Sequence, residues 1–92
     1  MGEISENLSE RRFELKVEGH LAIIEYVKKD DKIYLTHTHV PKALEGKGIG
    51  SRLISGTLDL IGGKPLKIVA ICPFIKAWIS RHPEKQNLIY HT

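Results

Sequence analysis

Apolar and polar residues alternate one for one near the start of the chain. Phe13, Leu15 and Val17 are interleaved with Arg12, Glu14, Lys16 and Glu18. That is the period-two signature of a strand with one wet face. Gly19-His20 then reads as a turn. "LAIIEYV", Leu21 to Val27, is more continuously apolar and predicts a central strand. "KKDDK", Lys28 to Lys32, predicts a charged hairpin connection. "IYLTHTHV", Ile33 to Val40, is rich in β-branched and aromatic residues and predicts a third strand, which Pro41 ends. Three strands joined by short turns make an antiparallel meander.

The period then changes. Ile49, Leu53, Ile54, Thr57, Leu58 and Ile61 recur at helical spacing, with Arg52, Ser55 and Asp59 on the opposite side and Gly62-Gly63 as the stop. "LKIVAIC", Leu66 to Cys72, predicts a short buried strand. A helix between two strands of one sheet is a right-handed crossover, so the strands before and after it are expected to be parallel. Pro73 suits the first position of a second helix over Pro73 to His82, expected to bury Phe74, Ala77 and Trp78. "PEKQ" reads as a loop and "NLIYH" as a last short strand or tail. Residues 1–11 read as a frayed, polar lead-in. The expected fold is α+β, a single domain over residues 12–92 behind that lead-in.

A chain of 92 residues has room for one core and not for two. No apolar run approaches the ~20 residues of a membrane helix. The acidic, polar N-terminus is unlike a signal peptide. The single cysteine, Cys72, suits a reducing cytoplasm and leaves a free thiol. The net charge of +3 is small. It suits an anionic ligand better than nucleic acid, for which too few aromatics are interleaved with basic residues.

The stretch "VPKALEGKGIGSRLI" places Gly46, Gly48 and Gly50 directly before the amphipathic run. A strand, a glycine turn and a helix start form an anion site. The first-turn amides lack partners inside the helix, the dipole is positive there, and glycines admit a phosphate to the backbone. Lys47 adds a full charge. The P-loop pattern fails, because Lys47 precedes the last two glycines. The dinucleotide fingerprint fails too, since its third glycine would fall on Ser51 or Leu53.

The same stretch resembles the acetyl-coenzyme A signature of the GNAT acetyltransferases, [RQ]-x-x-G-x-[GA]. Glu45 stands at the Arg/Gln place, and Gly48 and Gly50 at the two small positions. Three further motifs resemble the small, single-domain branch of that superfamily: His37-Thr38-His39-Val40-Pro41, Cys72-Pro73-Phe74 and Arg81-His82-Pro83-Glu84. The resemblance spans Phe13 to Tyr90. It implies a minimal GNAT-like fold, acetyl-coenzyme A as co-substrate, and acetyl transfer to an amine on a small molecule or peptide. A monomer or weak dimer is expected, a dimer serving to cover a sheet edge. By the same resemblance the diphosphate would lie on the amides of Gly46, Lys47, Gly48, Ile49, Gly50 and Ser51, with Glu45 beside them as a further coenzyme-binding position. The pantetheine arm would lie along Thr38, His39 and Val40. Glu45 either weakens that grip or points to solvent, leaving Lys42 and Lys47 to supply charge.

Cys72 precedes a helix start, which favours the thiolate, so it is a candidate acetyl carrier or proton donor. A buried, inert cysteine is the alternative. His37 and His39 share one strand face, and either could approach Cys72 from a neighbouring strand; the resemblance singles out His37 as catalytic base. Glu25, an acid in an apolar strand, is a second base candidate. The histidines lack the spacing of a metal site. The competing reading is a coenzyme- or anion-binding module without catalysis.

Overall fold

The computed structural model describes residues 3–90. His91, at the end of the predicted tail, lies outside them. Five strands form one sheet in the order β1-β2-β3-β4-β5. They are β1 (Ser5–Asn7), β2 (Arg12–Val17), β3 (His20–Lys29), β4 (Lys32–His39) and β5 (Lys67–Ala70). The first four pair antiparallel, and β4 and β5 pair parallel. Between β4 and β5 runs the crossover helix α1 (Ile49–Gly62), and α2 (Pro73–Ser80) follows β5. The meander and the crossover are those that the periodicities predict.

The alternation in β2 places Phe13, Leu15 and Val17 under the helices, and β3 adds Ala22, Ile24 and Tyr26. Against them α1 buries Ile49, Leu53, Ile54, Thr57, Leu58 and Ile61, the six positions of its predicted stripe. Thr57 is fully buried and its hydroxyl has no hydrogen-bond partner among the described residues.

The β2–β3 turn falls one residue earlier than the sequence suggests. Glu18 and Gly19 both have positive φ, 52° and 77°, as a two-residue hairpin turn of the I′ kind requires, and His20 is already in β3. The β3–β4 turn is only Asp30-Asp31, because Lys28, Lys29 and Lys32 belong to the strands. The predicted loop over "PEKQ" is a 3-10 segment, Pro83–Leu88. The tail beyond it meets the sheet through the Ile68–Ile89 bridge, a Tyr90 amide donating to the Ile68 carbonyl at 2.8 Å, and Lys32 of β4 over the Tyr90 ring. In α2 the buried residues are Ile75, Trp78 and Ile79; Phe74 and Ala77 are exposed, contrary to expectation.

The lead-in is likewise better ordered than its composition suggests. β1 pairs with β2, and Ile4 packs so closely on Gly56 of α1 that a Cβ there would clash with its side chain. The Tyr26 hydroxyl donates to Glu6, which also pairs with Lys28 at 3.2 Å. Burial first, and then this bond, push the Tyr26 phenol up to about 12 from 10.0. A raised folded-state value stabilises fully below the unfolded one and is lost as pH rises through the folded one. Stability is therefore expected to fall between pH 10 and 12 through Tyr26, and a Tyr26→Phe variant to show a shallower fall. Denaturant melts across that window check this.

Candidate functional site

The chain leaves β4 at Pro41, makes one 3-10 turn over Lys42–Leu44, and buries Leu44 completely. That anchor holds the next four residues at the surface, where Glu45, Gly46, Lys47 and Gly48 are all exposed. Gly46 and Gly48 have φ of 79° and 72°, a region side chains rarely adopt. Gly48 is the N-cap of α1 and supplies no side-chain cap. The first helical bond runs from the Arg52 amide to the Gly48 carbonyl at 3.1 Å. The amides of Ile49, Gly50 and Ser51 thus have no partner within the helix and face its positive end.

The three glycines answer two different needs. A Cβ on Gly46 or Gly48 would stand in open space, so their requirement is backbone conformation. A Cβ on Gly50 would lie 2.9 Å from the Phe74 ring, so its requirement is packing. Phe74, expected in the core, instead closes one side of a hollow of ≈ 320 Å³ whose other walls include Val40, Glu45, Gly48 and Ser51. The hollow sits at the helix start. A larger one, ≈ 430 Å³, lies around Leu8, Arg11 and Lys28 and contains none of the candidate residues. Lys47 reaches Glu18 at 2.8 Å, with both side chains well exposed, a contact that an incoming anion can replace at little cost. Glu45 lines the hollow with its side chain exposed.

The β4–β5 ladder ends beside this turn. Its last pair is Leu35 with Ala70. The Leu35 carbonyl then accepts from both Ile71 and Cys72 amides at 3.0 Å, and β5 turns away into α2. From Thr36 to His39, β4 continues with β3 as its only strand partner among the described residues. Over that stretch no strand among the described residues covers the edge on the β5 side, where the Cys72 sulfur takes the Thr38 amide.

The register of β3 and β4 decides which side chains flank the gap. Glu25 pairs with His37 while Tyr26 pairs with Leu35, so Thr36 is an extra residue in β4. One inserted residue exchanges the faces of everything beyond it. Thr38 therefore pairs with the buried Ile24 and shares its helix side. His37 and His39 lie with Glu25 and Ile23 on the face that carries no helix. Cys72, 6% exposed, lies against Thr38, with Sγ 3.5 Å from Oγ1. The histidines share a face, as their spacing predicts, and Cys72's hydrogen-bonding neighbour is the threonine between them.

Burial raises the Cys72 thiol, but bonds from the Thr38 hydroxyl and the Ile75, Phe74 and Thr38 amides outweigh it and hold the thiol below the ordinary 9.0. Although the sulfur makes no strict capping bond, it faces the first amides of α2. Trp78, expected only in the core, also has a polar role. Its indole N–H donates to Ser51 Oγ at 2.7 Å. A lone tryptophan near a C-P-F motif carries no sequence signal for that bond, which joins two helices. Among the described residues, no group of three or more His, Cys, Asp or Glu could hold a metal ion. No helix among them is long and apolar enough to cross a membrane.

Comparison with known proteins adds a lineage to this geometry. Residues 12–88 match the model of the GCN5-related N-acetyl-transferase family. Protein NATD1 of Mus musculus is 32% identical over 82 residues, covering 85% of this chain and 74% of that protein. Protein NATD1 of Xenopus tropicalis is 30% identical over the same length and shares. The solution NMR structure of a GCN5-like protein from Staphylococcus aureus superposes with a TM-score of 0.73 at 29% identity, covering 98% of this chain and 89% of that one.

Proposed function

Since the chain belongs to the GCN5-related N-acetyl-transferase family, we propose that it binds acetyl-coenzyme A and passes the acetyl group to an amine. The observation that carries the reading is the coincidence of two gaps in the backbone hydrogen bonding. The uncapped amides of Ile49 to Ser51 open into the hollow, and the edge of β4 that no described strand covers begins beside it. The first suits a diphosphate and the second an amide-bearing arm such as pantetheine. Gly46 to Ser51 grip the diphosphate, with Lys47 released from Glu18 and Lys42 supplying positive charge. The backbone of Thr38, His39 and Val40 bonds the arm. Glu45 stands exposed on the wall of the same hollow.

The thioester then reaches the gap edge, with Cys72 and Thr38 on one side and His37 on the other. The Cys72 thiolate adds to the thioester carbonyl, a C–S bond forms to Sγ, and the coenzyme sulfur leaves as thiolate. An amine approaching from the helix-free face displaces Cys72, giving an amide and regenerating the thiolate. His37 takes the proton that the amine loses. The depressed thiol titration favours this covalent route over one in which Cys72 donates a proton. The single thiol and the reducing environment it suits fit a cytoplasmic enzyme.

Mass spectrometry of the intact protein after incubation with acetyl-coenzyme A, without an amine, tests the reading. The expected product carries one acetyl group on Cys72, which a primary amine discharges. Acetylated amine without that adduct would overturn the covalent route and leave direct transfer. Coenzyme binding with neither product would identify a non-catalytic binding module.

A further inference from the structure

We propose that Trp78 is a positioning residue for the phosphate grip, holding the Ser51 hydroxyl so that its proton donates into the glycine turn. This rests on the coenzyme-binding reading above. Ser51 is the third residue of α1 and an exposed wall of the hollow. Its hydroxyl has one proton and two lone pairs. The Trp78 indole N–H, a donor only, occupies a lone pair at 2.7 Å. The hydroxyl proton is thereby turned away from the indole, and the hollow lies on its exposed side. A serine at this helical position otherwise has a rotating hydroxyl that can fold back on its own backbone. Fixing it adds an oriented side-chain donor to the three free amides.

The indole is itself held. Trp78 is 3% exposed, so its ring is packed on nearly every side. The His82 ring stacks on it with centroids 3.7 Å apart and planes 11° from parallel. His82 Nδ1 lies 2.7 Å from the Trp78 carbonyl, closing the imidazole back on the same helical turn. The row His82, Trp78, Ser51 runs from the end of α2 to the start of α1. Such supporting contacts keep a ligand-facing donor in place before the ligand arrives. Phenylalanine here would keep an aromatic ring but lose the N–H, along with part of the packed volume.

Calorimetric titration of coenzyme A into the full chain provides the test, with wild type, Ser51→Ala, Trp78→Phe and the double variant compared. Each single change is expected to weaken binding about fivefold, the scale of one net hydrogen bond. The double variant is expected to bind no more weakly than either single one, because one donor is lost in every case. Ser51→Thr, which keeps the hydroxyl, is expected to bind like wild type. Trp78 is the chain's single tryptophan, so its indole N–H gives one resonance. In wild type that resonance is expected to shift as coenzyme A is added, a readout that needs no variant. Unchanged affinity in Trp78→Phe, losses that multiply in the double variant, or a static indole resonance in a binding wild type would overturn the assignment alone. A wild type that does not bind coenzyme A would overturn it together with the reading beneath it.

Discussion

A Gly48→Val chain is expected to bind coenzyme A at least about tenfold more weakly than wild type, a loss of roughly 1.4 kcal/mol or more. Two causes act together. Gly48 has φ 72°, and a β-branched residue there is strained wherever its side chain points. The left-handed conformation costs a side-chain-bearing residue about 1–2 kcal/mol, so the N-cap is expected to rearrange and swing the α1 amides off line. The valine also fills the space that a phosphate needs, since nothing of the protein lies within 4 Å of the position its Cβ would take. Gly48→Asn separates the two. Asparagine enters the left-handed region readily, so it is expected to keep the melting temperature near wild type while still losing affinity to its side chain. Affinity preserved in Gly48→Val would show that the turn does not hold the ligand.

The second large effect is expected at Cys72. A Cys72→Ala chain is expected to bind coenzyme A as wild type does and to turn over about a hundredfold more slowly or worse, the scale on which a positioned reacting side chain contributes. The thiol's own chemistry supplies a companion measurement. Burial works against the thiolate, but the Thr38 hydroxyl and the amides around it win. Alkylation of Cys72 by iodoacetamide is therefore expected to reach half its limiting rate below the ordinary cysteine value of 9.0. Thr38→Val is expected to move that midpoint upward. Undiminished turnover in Cys72→Ala would remove the thiol from the chemistry.

These effects depend on features that differ in how plainly the sequence shows them. The stripe of α1 was fully legible, because only one helical phase places Ile49, Leu53, Ile54, Leu58 and Ile61 together. In α2 two phases compete. Phe74, Ala77 and Trp78 form one stripe and Ile75, Trp78 and Ile79 another, and a helix of 8 residues is too short for its pattern to decide. Packing decides it, with Phe74 turned onto Gly50 and out toward the hollow. Ser5–Asn7 has no apolar alternation, so its pairing with β2 was invisible; what holds it is backbone bonding and the Glu6–Tyr26 contact.

The site was legible in part and for a comparable reason. Glycine permits the positive φ of Gly46 and Gly48 but does not mark them off from Gly50, which lacks it, whereas the uncapped helix start follows from a glycine N-cap. The extra residue Thr36 in β4 leaves no mark in the sequence, because every residue of "LTHTH" after Leu35 is polar and no apolar position reveals the change of face. That single insertion sets Thr38, rather than a histidine, against Cys72, and turns His37 to the helix-free face beside Glu25.

Titration of the ¹⁵N-labelled chain with coenzyme A, followed amide by amide, tests the central claim most directly. The largest shifts are expected on the amides of Gly46 to Ser51, with a second set along Thr36 to Val40. Saturable shifts elsewhere with those two stretches unmoved, or no shifts at all, would contradict it.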